Sequence, residues 1–251
     1  MSGHSKWAGI KHKKAIVDAQ KGKAFSKVAR EITVAAKIGG GSPDANPRLR
    51  LAIGKAREVN MPKDKVETAI KKGTGDLPGL MYEEMVIEGY GPGGVAILVE
   101  ALTDNRNRTS AELRNIFSSH NGNLAGAGSV SWQFQKKGAI LVSTKLVDEE
   151  RLMNLALEGG AEDMSRDGEL FTITTSPHDL ERVKQALAAH HLAWESSDLT
   201  MLPSSSVRVE DPAVAKRLLA LLDALEEQED IQHVYANFDI PDAILAEHAA
   251  A

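Results

Sequence analysis

The hydrophobic period of this chain changes once, at the glycine- and proline-rich stretch 73–79. Before it, apolar residues recur every three or four positions, which is the spacing of one face of an α-helix. After it, short alternating runs typical of strands are interleaved with helical patterns and turn residues. At 251 residues the chain is long enough for more than one hydrophobic core. The sequence therefore predicts a helical domain followed by mixed α and β structure.

The N-terminal part is predicted to hold three helices, preceded by an arm at 2–14. The first helix covers 23–38 and is ended by the glycines at 39–41. The second runs over 46–59 with Pro47 in its first turn, and the third follows Pro62 and ends at Gly73. Together these helices predict a small bundle.

Strands and helices alternate in the remainder of the chain. Strands are predicted at 84–89, 94–102, 129–134, 139–143, 162–165, 170–175, 193–201, 206–210 and 233–240, and helices at 108–120, 148–158, 177–190 and 212–227. Residues 139–199 then follow the order β-α-β-β-α-β of the ferredoxin-like unit. The pieces on either side give a second copy, in which 94–102, 108–120 and 129–134 are completed by 206–210, 212–227 and 233–240.

The predicted fold class is therefore α+β and multidomain, with an all-helical N-terminal bundle followed by two ferredoxin-like α+β domains, the third inserted in the second. The expected boundaries are 1–78 for the basic helical domain and its arm, 79–136 plus 203–251 for the second domain, and 137–202 for the inserted one.

Charge is distributed very unevenly. The net charge is −5, yet residues 1–75 hold 17 lysines and arginines against 6 acids, and the remainder holds 13 against 29. A basic surface gains free energy by displacing condensed counterions from phosphates, so this asymmetry indicates that the N-terminal part binds a polyanion. The acidic remainder is a candidate surface for a protein partner. Its run at 226–230 is expected to be a solvated helix end.

The arm at 3–14 mixes positive donors with one aromatic ring, a combination suited to phosphate contact and base stacking. The alternative is a solvated tail whose lysines only aid solubility. The candidate nucleic-acid contacts in the arm are Lys6, Trp7, Lys11, His12, Lys13 and Lys14.

The first helix carries a basic stripe. Lys23, Lys27, Arg30 and Lys37 lie within about 80° of one another at 100° per residue. Arg48 and Arg50 on the second helix extend the positive surface, as do Lys55, Arg57, Lys71 and Lys72. Phosphate binding is favoured over the alternative of a charged exterior without a ligand, because a solvated helix face normally mixes both signs.

The polar run 103–109 is a candidate second contact, through Arg106 and Arg108. The alternative is a capping loop with an internal ion pair, in which Asp104 or Asn105 caps the following helix.

Several other classes of site are not supported by the sequence. There is no cysteine, and the eight histidines form no metal-binding spacing, so no metal or cofactor is expected. The glycine-rich stretches at 39–41 and 89–94 lack the lysine and the strand-to-helix context of a phosphate loop. No nucleophile–base constellation is evident, so the chain is expected not to be an enzyme. Without a long apolar run or signal pattern, the expected location is the cytoplasm.

Motifs along nearly the whole chain resemble those of the YebC-type proteins, a family of probable transcriptional regulators whose mitochondrial relatives act as translational activators. The matching motifs are GHSKW at 3–7, IKHKK at 10–14, GK at 22–23, FSK at 25–27, REI at 30–32, NPRLR at 46–50, NMP at 60–62, AIKKG at 69–73, EGYGPGG at 88–94, TDNRNRT at 103–109, GNL at 122–124, GSV at 128–130, GAED at 160–163 and ANF at 236–238.

The resemblance implies a cytoplasmic protein of three domains that regulates gene expression. Two hypotheses follow for its activity. It is a DNA-binding transcriptional regulator, although it has no recognisable base-reading module. Alternatively, it is a translation factor that binds RNA or the ribosome and assists elongation.

Overall fold

The computed structural model of the chain describes residues 18–241 and 243–245. In chain order its elements are α1 (Asp18–Gly39), α2 (Pro47–Glu58), α3 (Lys63–Thr74), β1 (Glu83–Tyr90), β2 (Ala96–Thr103), α4 (Arg106–Ser119), β3 (Asn123–Leu124), β4 (Phe134–Ser143), α5 (Glu149–Glu158), β5 (Ala161–Asp167), β6 (Leu170–Thr175), α6 (Leu180–Ala189), β7 (Ser196–Pro203), β8 (Val207–Arg208), α7 (Pro212–Glu227), β9 (Ile231–Ala236) and β10 (Phe238–Asp239), with short 3-10 turns at Pro92–Gly94 and Ser131–Gln133. The described chain divides into two compact units.

The first unit comprises the described residues up to Ser129 together with Ala213–Val234. Its three N-terminal helices confirm the predicted bundle. Asn46 caps α2 by accepting the Leu49 N–H, and its amide also donates to the carbonyls of Ala35 and Gly40 at the end of α1, at 2.8 Å each. One polar side chain therefore joins two helices at their shared turn.

The core of the bundle is small and alanine-rich. Ile32 and Leu49 are fully buried in it, with Ala36, Ala52 and Ala69 around them. A Cβ on Gly73 would lie 2.3 Å from the Thr33 carbonyl oxygen, so α1 and α3 approach each other closely at this position. The small residues allow three short helices to pack tightly.

The rest of the first unit is a four-stranded sheet with the order β3-β1-β2-β9. Strands β1 and β2 form an antiparallel hairpin in which Val86 lies opposite Glu100. Phe117 of α4 packs beneath Gly89, where an added Cβ would lie 2.5 Å from the ring. Six residues of α7 are buried.

The second unit comprises Val130–Pro212 and the described residues from Tyr235 onward. Its main sheet has the order β5-β6-β4-β7, and each neighbouring pair is antiparallel. Helices α5 and α6 supply Leu152 and Leu187 to a core that also holds Ile140 and Phe171. The observed order of elements in this sheet and its helices is β-α-β-β-α-β, as predicted.

The predicted second copy of this arrangement is wrong in two of its strands. Residues 129–133 form no strand, because the Gln133 N–H bonds to the Val130 carbonyl at 2.9 Å and closes a 3-10 turn, and Phe134 is the first residue of β4. Residues 206–210 contribute only β8, which pairs in parallel with β10 instead of joining the sheet of β2. In the sheet of β2, the positions predicted for these two strands are occupied by β1 and β3.

The predicted strand 233–240 is interrupted at Asn237. Its side-chain amide donates to Gln133 Oε1 at 3.0 Å, and its carbonyl accepts the Val207 N–H at 2.7 Å. The chain therefore changes sheet between β9 and β10. Within the described ranges, no helix is long and apolar enough to cross a membrane.

Candidate nucleic-acid interface

The N-terminal arm, with Lys6, Trp7, Lys11, His12, Lys13 and Lys14, lies outside the described residues. The sites that can be assessed are therefore those of the helical bundle and of the loop before α4.

The basic stripe on α1 is divided into exposed ends and an occupied middle. Lys23 and Lys37 are exposed. Lys27 instead donates from Nζ to the Glu226 carbonyl at 2.8 Å, and Arg30 donates to the Glu229 carbonyl. Carbonyls at and just beyond a helix C-terminus lack intrahelical partners and attract cations, so the end of α7 binds the middle of the stripe. The stripe is not a continuous free surface.

Arg30 is held from three directions. Its guanidinium lies 3.3 Å from Asp230 Oδ1 and 3.7 Å from a Glu229 carboxylate oxygen, and it stands over the Tyr82 ring at 5.6 Å from the centroid. Its side chain is only 15% exposed. The geometry gives Arg30 a structural role within the first unit.

Asp230 is the centre of this network. Its carboxylate accepts hydrogen bonds from Thr109 Oγ1 at 2.7 Å, Arg108 Nη2 at 3.0 Å and Gln228 Nε2 at 3.4 Å. Burial would raise the pKa of the Asp230 carboxyl, but these hydrogen bonds and the charge of Arg30 outweigh burial, and the pKa is lowered. The expectation that 226–230 is a solvated helix end is therefore wrong for Asp230, which is 2% exposed.

Arg48 is also engaged within the molecule. Its Nε donates to Glu31 at 2.8 Å, and its Nη1 lies 2.6 Å from Glu84 Oε1 on β1. Burial opposes the charged form, yet the two carboxylates more than offset it and raise the pKa of the Arg48 guanidinium. Arg50 is exposed, and it donates to the carbonyls of Pro43 and Asp44 at 3.1 and 2.8 Å.

The loop before α4 is a helix cap with an internal ion pair, the alternative considered for this run. Asn105 accepts the Arg108 N–H and caps α4, while its own N–H bonds to Thr103 Oγ1 at 2.9 Å. Arg108 pairs with Asp104 at 2.8 Å, and Arg106 lies 3.6 Å from a Glu83 carboxylate oxygen. Both arginines, 44% and 57% exposed, therefore neutralise local acids.

A second group of cations on the bundle is exposed. Within the part of the chain that the structure describes, their side chains make no hydrogen bond or ion pair; they are Lys23, Lys37, Arg57, Lys63, Lys65, Lys71 and Lys72. We call these seven residues the open cations. Most belong to α3, and Lys63 and Lys65 were not among the predicted contacts. The sequence could have indicated Lys63 and Lys65 as contacts, because they follow Pro62 in the first turn of a predicted helix.

Among the described residues, no group of three or more histidine, aspartate or glutamate side chains could hold a metal ion. Within the first unit, the described residues define a helical bundle with open cations that an ion network joins to the sheet of β1 and β2.

Comparison with known families agrees with this architecture. Residues 5–76 match the model of the TACO1/YebC protein N-terminal domain, and residues 82–238 match that of the TACO1/YebC second and third domain. The chain belongs to the TACO1/YebC family.

Relatives match along the whole length. A probable transcriptional regulatory protein of Syntrophobacter fumaroxidans is 54% identical over 245 residues, which cover 98% of each chain. A protein of the same description from Geobacter sulfurreducens is 54% identical over 240 residues, 96% of each chain. The crystal structure of a conserved hypothetical protein from Aquifex aeolicus superposes with a TM-score of 0.86 at 50% identity, and the match covers 94% of this chain and 98% of that one.

Proposed function

We propose that this protein is a non-enzymatic, nucleic-acid-binding regulator of gene expression that acts in the cytoplasm. The observation that carries the proposal is the set of open cations on a bundle in which Lys27, Arg30, Arg48 and Arg50 are bound internally. Lysines that have no partner among the described residues can approach phosphates without breaking an existing contact.

The expected mode of binding is contact with the phosphate backbone. The middle of α1, which would have to enter a groove to read bases, is bound to the end of α7 through Lys27 and Arg30. The exposed face of α3 mixes Lys71 and Lys72 with Asp64 and Glu67. Neither helix therefore offers the uninterrupted base-reading face of a recognition helix. Selectivity would come from nucleic-acid shape or from a partner of the acidic domains.

Two targets fit this mode. The names of the relatives favour DNA and a role in transcription. The occupied middle of α1 favours structured RNA, including the ribosome, because RNA helices are recognised largely by shape and backbone contacts. The arm residues from Lys6 to Lys14 would add contacts to either target.

The test is a competition experiment with the full chain against duplex DNA, structured RNA and ribosomes over a salt series. Reversing Lys71 and Lys72 to Glu should weaken binding to every sequence and reduce the slope of log K against log salt by roughly 1.4–1.8, since each lost phosphate contact is worth about 0.7–0.9. The control is Lys136→Glu, which reverses an exposed lysine of the second unit.

The ligand that competes best at physiological salt identifies the target. Binding that is absent at low salt for all three ligands would refute the proposal. A slope that is unchanged in the double reversal would remove α3 from the interface.

A further inference from the structure

The segment that joins α3 to β1 exposes two large apolar side chains at successive positions. Leu80 and Met81 are 60% and 65% exposed, and Leu77 just before them is 38% exposed. Single exposed apolar residues are common, whereas neighbouring ones form a patch that favours contact with a ligand. A chain that lies flat on a surface usually turns one of two successive side chains toward it. Because both are exposed here, the segment protrudes from the first unit at Leu80 and Met81.

The protruding residues are held on both sides. Before them, the chain at Gly79 passes along the Lys72 side chain, because an added Cβ would lie 3.1 Å from Lys72 Cγ. After them, the Tyr82 ring lies beneath the Arg30 guanidinium, at 5.6 Å from the centroid. The two apolar side chains are therefore presented from a base that helices α1 and α3 fix in place.

The charge beside the protruding residues is positive. Lys71 and Lys72 belong to the open cations, and Lys72 reaches the residue immediately before the exposed pair. Glu83 and Glu84 on the other side face arginines at 3.6 and 2.6 Å, which neutralise them. Asp76 accepts a hydrogen bond from a threonine hydroxyl at 2.6 Å and keeps its charge. Two lysines against one such acid favour an anionic ligand.

Apolar residues that protrude beside cations fit a nucleic acid better than a protein. Proteins that kink a duplex insert side chains such as leucine and methionine between base steps, while basic side chains contact the backbone. A stable protein–protein interface buries about 800 Å² on each partner, which is more than three partly exposed side chains supply. The apolar area is sufficient for one base step.

We propose that Leu80 and Met81 form a wedge that enters the base stack of the bound nucleic acid, and that the protein thereby selects duplexes whose stacking is interrupted. Lys71 and Lys72 contact the phosphates beside the insertion. A continuous duplex opposes the wedge because a base step must be unstacked, whereas a duplex with an unpaired nucleotide has already lost part of that stacking. The inference rests on the proposed nucleic-acid binding and extends it, since a wedge selects shape and the open cations do not.

The first experiment compares two duplexes of the same sequence, one continuous and one with a single unpaired nucleotide. Each is made as DNA and as RNA, and binding to the full chain is measured by fluorescence anisotropy. In the type that binds better, the interrupted duplex should bind about tenfold more tightly, and a fluorescent base analogue beside the unpaired nucleotide should brighten as it is unstacked. A preference below about twofold in both types would overturn the proposal.

The second experiment removes the wedge. The double variant Leu80→Ser, Met81→Ser should reduce the preference to about twofold or less, while affinity for the continuous duplex and the salt slope stay constant because the open cations are intact. Met81→Leu keeps an apolar side chain and should keep the preference. The matched control, Leu146→Ser, changes a 51% exposed leucine in a turn of the second unit and should alter neither affinity. Thermal melts identify a variant that fails to fold, and Met81→Ser alone then decides.

The two proposals fail separately. If the wild-type chain binds both duplexes with a normal salt slope and the double variant keeps the preference, the wedge is refuted and the proposed function stands. An equal loss of affinity for both duplexes in the double variant would also refute the wedge, because the two side chains would then add only general affinity. If the wild-type chain binds no nucleic acid at low salt, the proposed function and the wedge both fall.

Discussion

Replacing Asp230 with Ala should destabilise the first unit more than any other single change in its ion network. The substitution removes the buried counterion of Arg30 and leaves the Thr109 hydroxyl and the Gln228 amide without the acceptor that they share. Breaking a buried ion pair by removing one partner costs roughly 3–5 kcal/mol. Because Arg30 keeps Glu229 and Arg108 keeps Asp104, the expected loss lies at the lower end, about 3 kcal/mol.

The free energy of unfolding is measured by urea denaturation at pH 7, followed by far-UV circular dichroism. Glu229→Ala is the matched control, since Glu229 is 76% exposed and its carboxylate contact with Arg30 is a long 3.7 Å. It should cost about 0.5 kcal/mol or less, as exposed pairs do. A loss below about 1 kcal/mol for Asp230→Ala would show that the network does not stabilise the unit, and the structural role given to Arg30 would then be wrong.

Three further predictions concern the same unit. The difference in unfolding free energy between wild type and Asp230→Asn should be constant from about pH 6 to 8 and should shrink below about pH 4. The reason is that the pKa of Asp230 is lowered in the folded state, so its contribution to stability is lost only as the carboxyl is protonated. A difference that grows toward acid pH would contradict this. Gly89→Ala places a Cβ 2.5 Å from the Phe117 ring and should cost about 1–3 kcal/mol in urea denaturation, whereas Gly126→Ala, whose nearest contact would be at 3.9 Å, should be close to neutral. Arg48→Met should lower the thermal midpoint, with a loss of about 1 kcal/mol after allowance for its partial exposure, and an equal effect of Arg57→Met would argue against the contacts of Arg48 with Glu31 and Glu84.

The helices of the bundle were predictable because their signals are local. Asn46 caps α2 just before Pro47, Pro62 precedes α3, and Gly40 and Gly41 follow α1. Each signal lies within a few residues of the end that it defines, so neighbouring positions contain the necessary information.

The strand predicted at 129–134 shows how a correct burial pattern can accompany a wrong conformation. Val130 and Phe134 are buried, and Trp132 between them is 74% exposed, which is the alternation expected of a strand. The chain nevertheless makes a 3-10 turn here. Alternating burial over so few residues does not distinguish a strand from a turn that buries its two ends.

The occupied middle of α1 could not be predicted because its partners are distant along the chain. Lys27 and the Glu226 carbonyl are separated by 199 positions, as are Arg30 and Glu229. The helical period placed both cations on one face correctly, but a period contains no information about what packs against that face. The acidic composition of 226–230 is evident in the sequence, but it is as compatible with exposure to solvent as with contact to a basic partner.

Arginines and lysines of the first unit also differ in the contacts that they make. Arg30, Arg48 and Arg108 each contact two or more acids, whereas six of the seven open cations are lysines. The guanidinium is planar and presents several donors at fixed angles, so it suits a crowded ion network. The ammonium is compact and strongly hydrated, so it suits phosphate contacts that do not depend on sequence. Exchange of the two types should therefore act on different properties: Arg30→Lys should lower stability, while Lys71→Arg should leave both stability and the salt slope of binding nearly unchanged. Lys27 of the bundle departs from this pattern, because the helix C-terminus that binds it requires only a positive charge near its carbonyls.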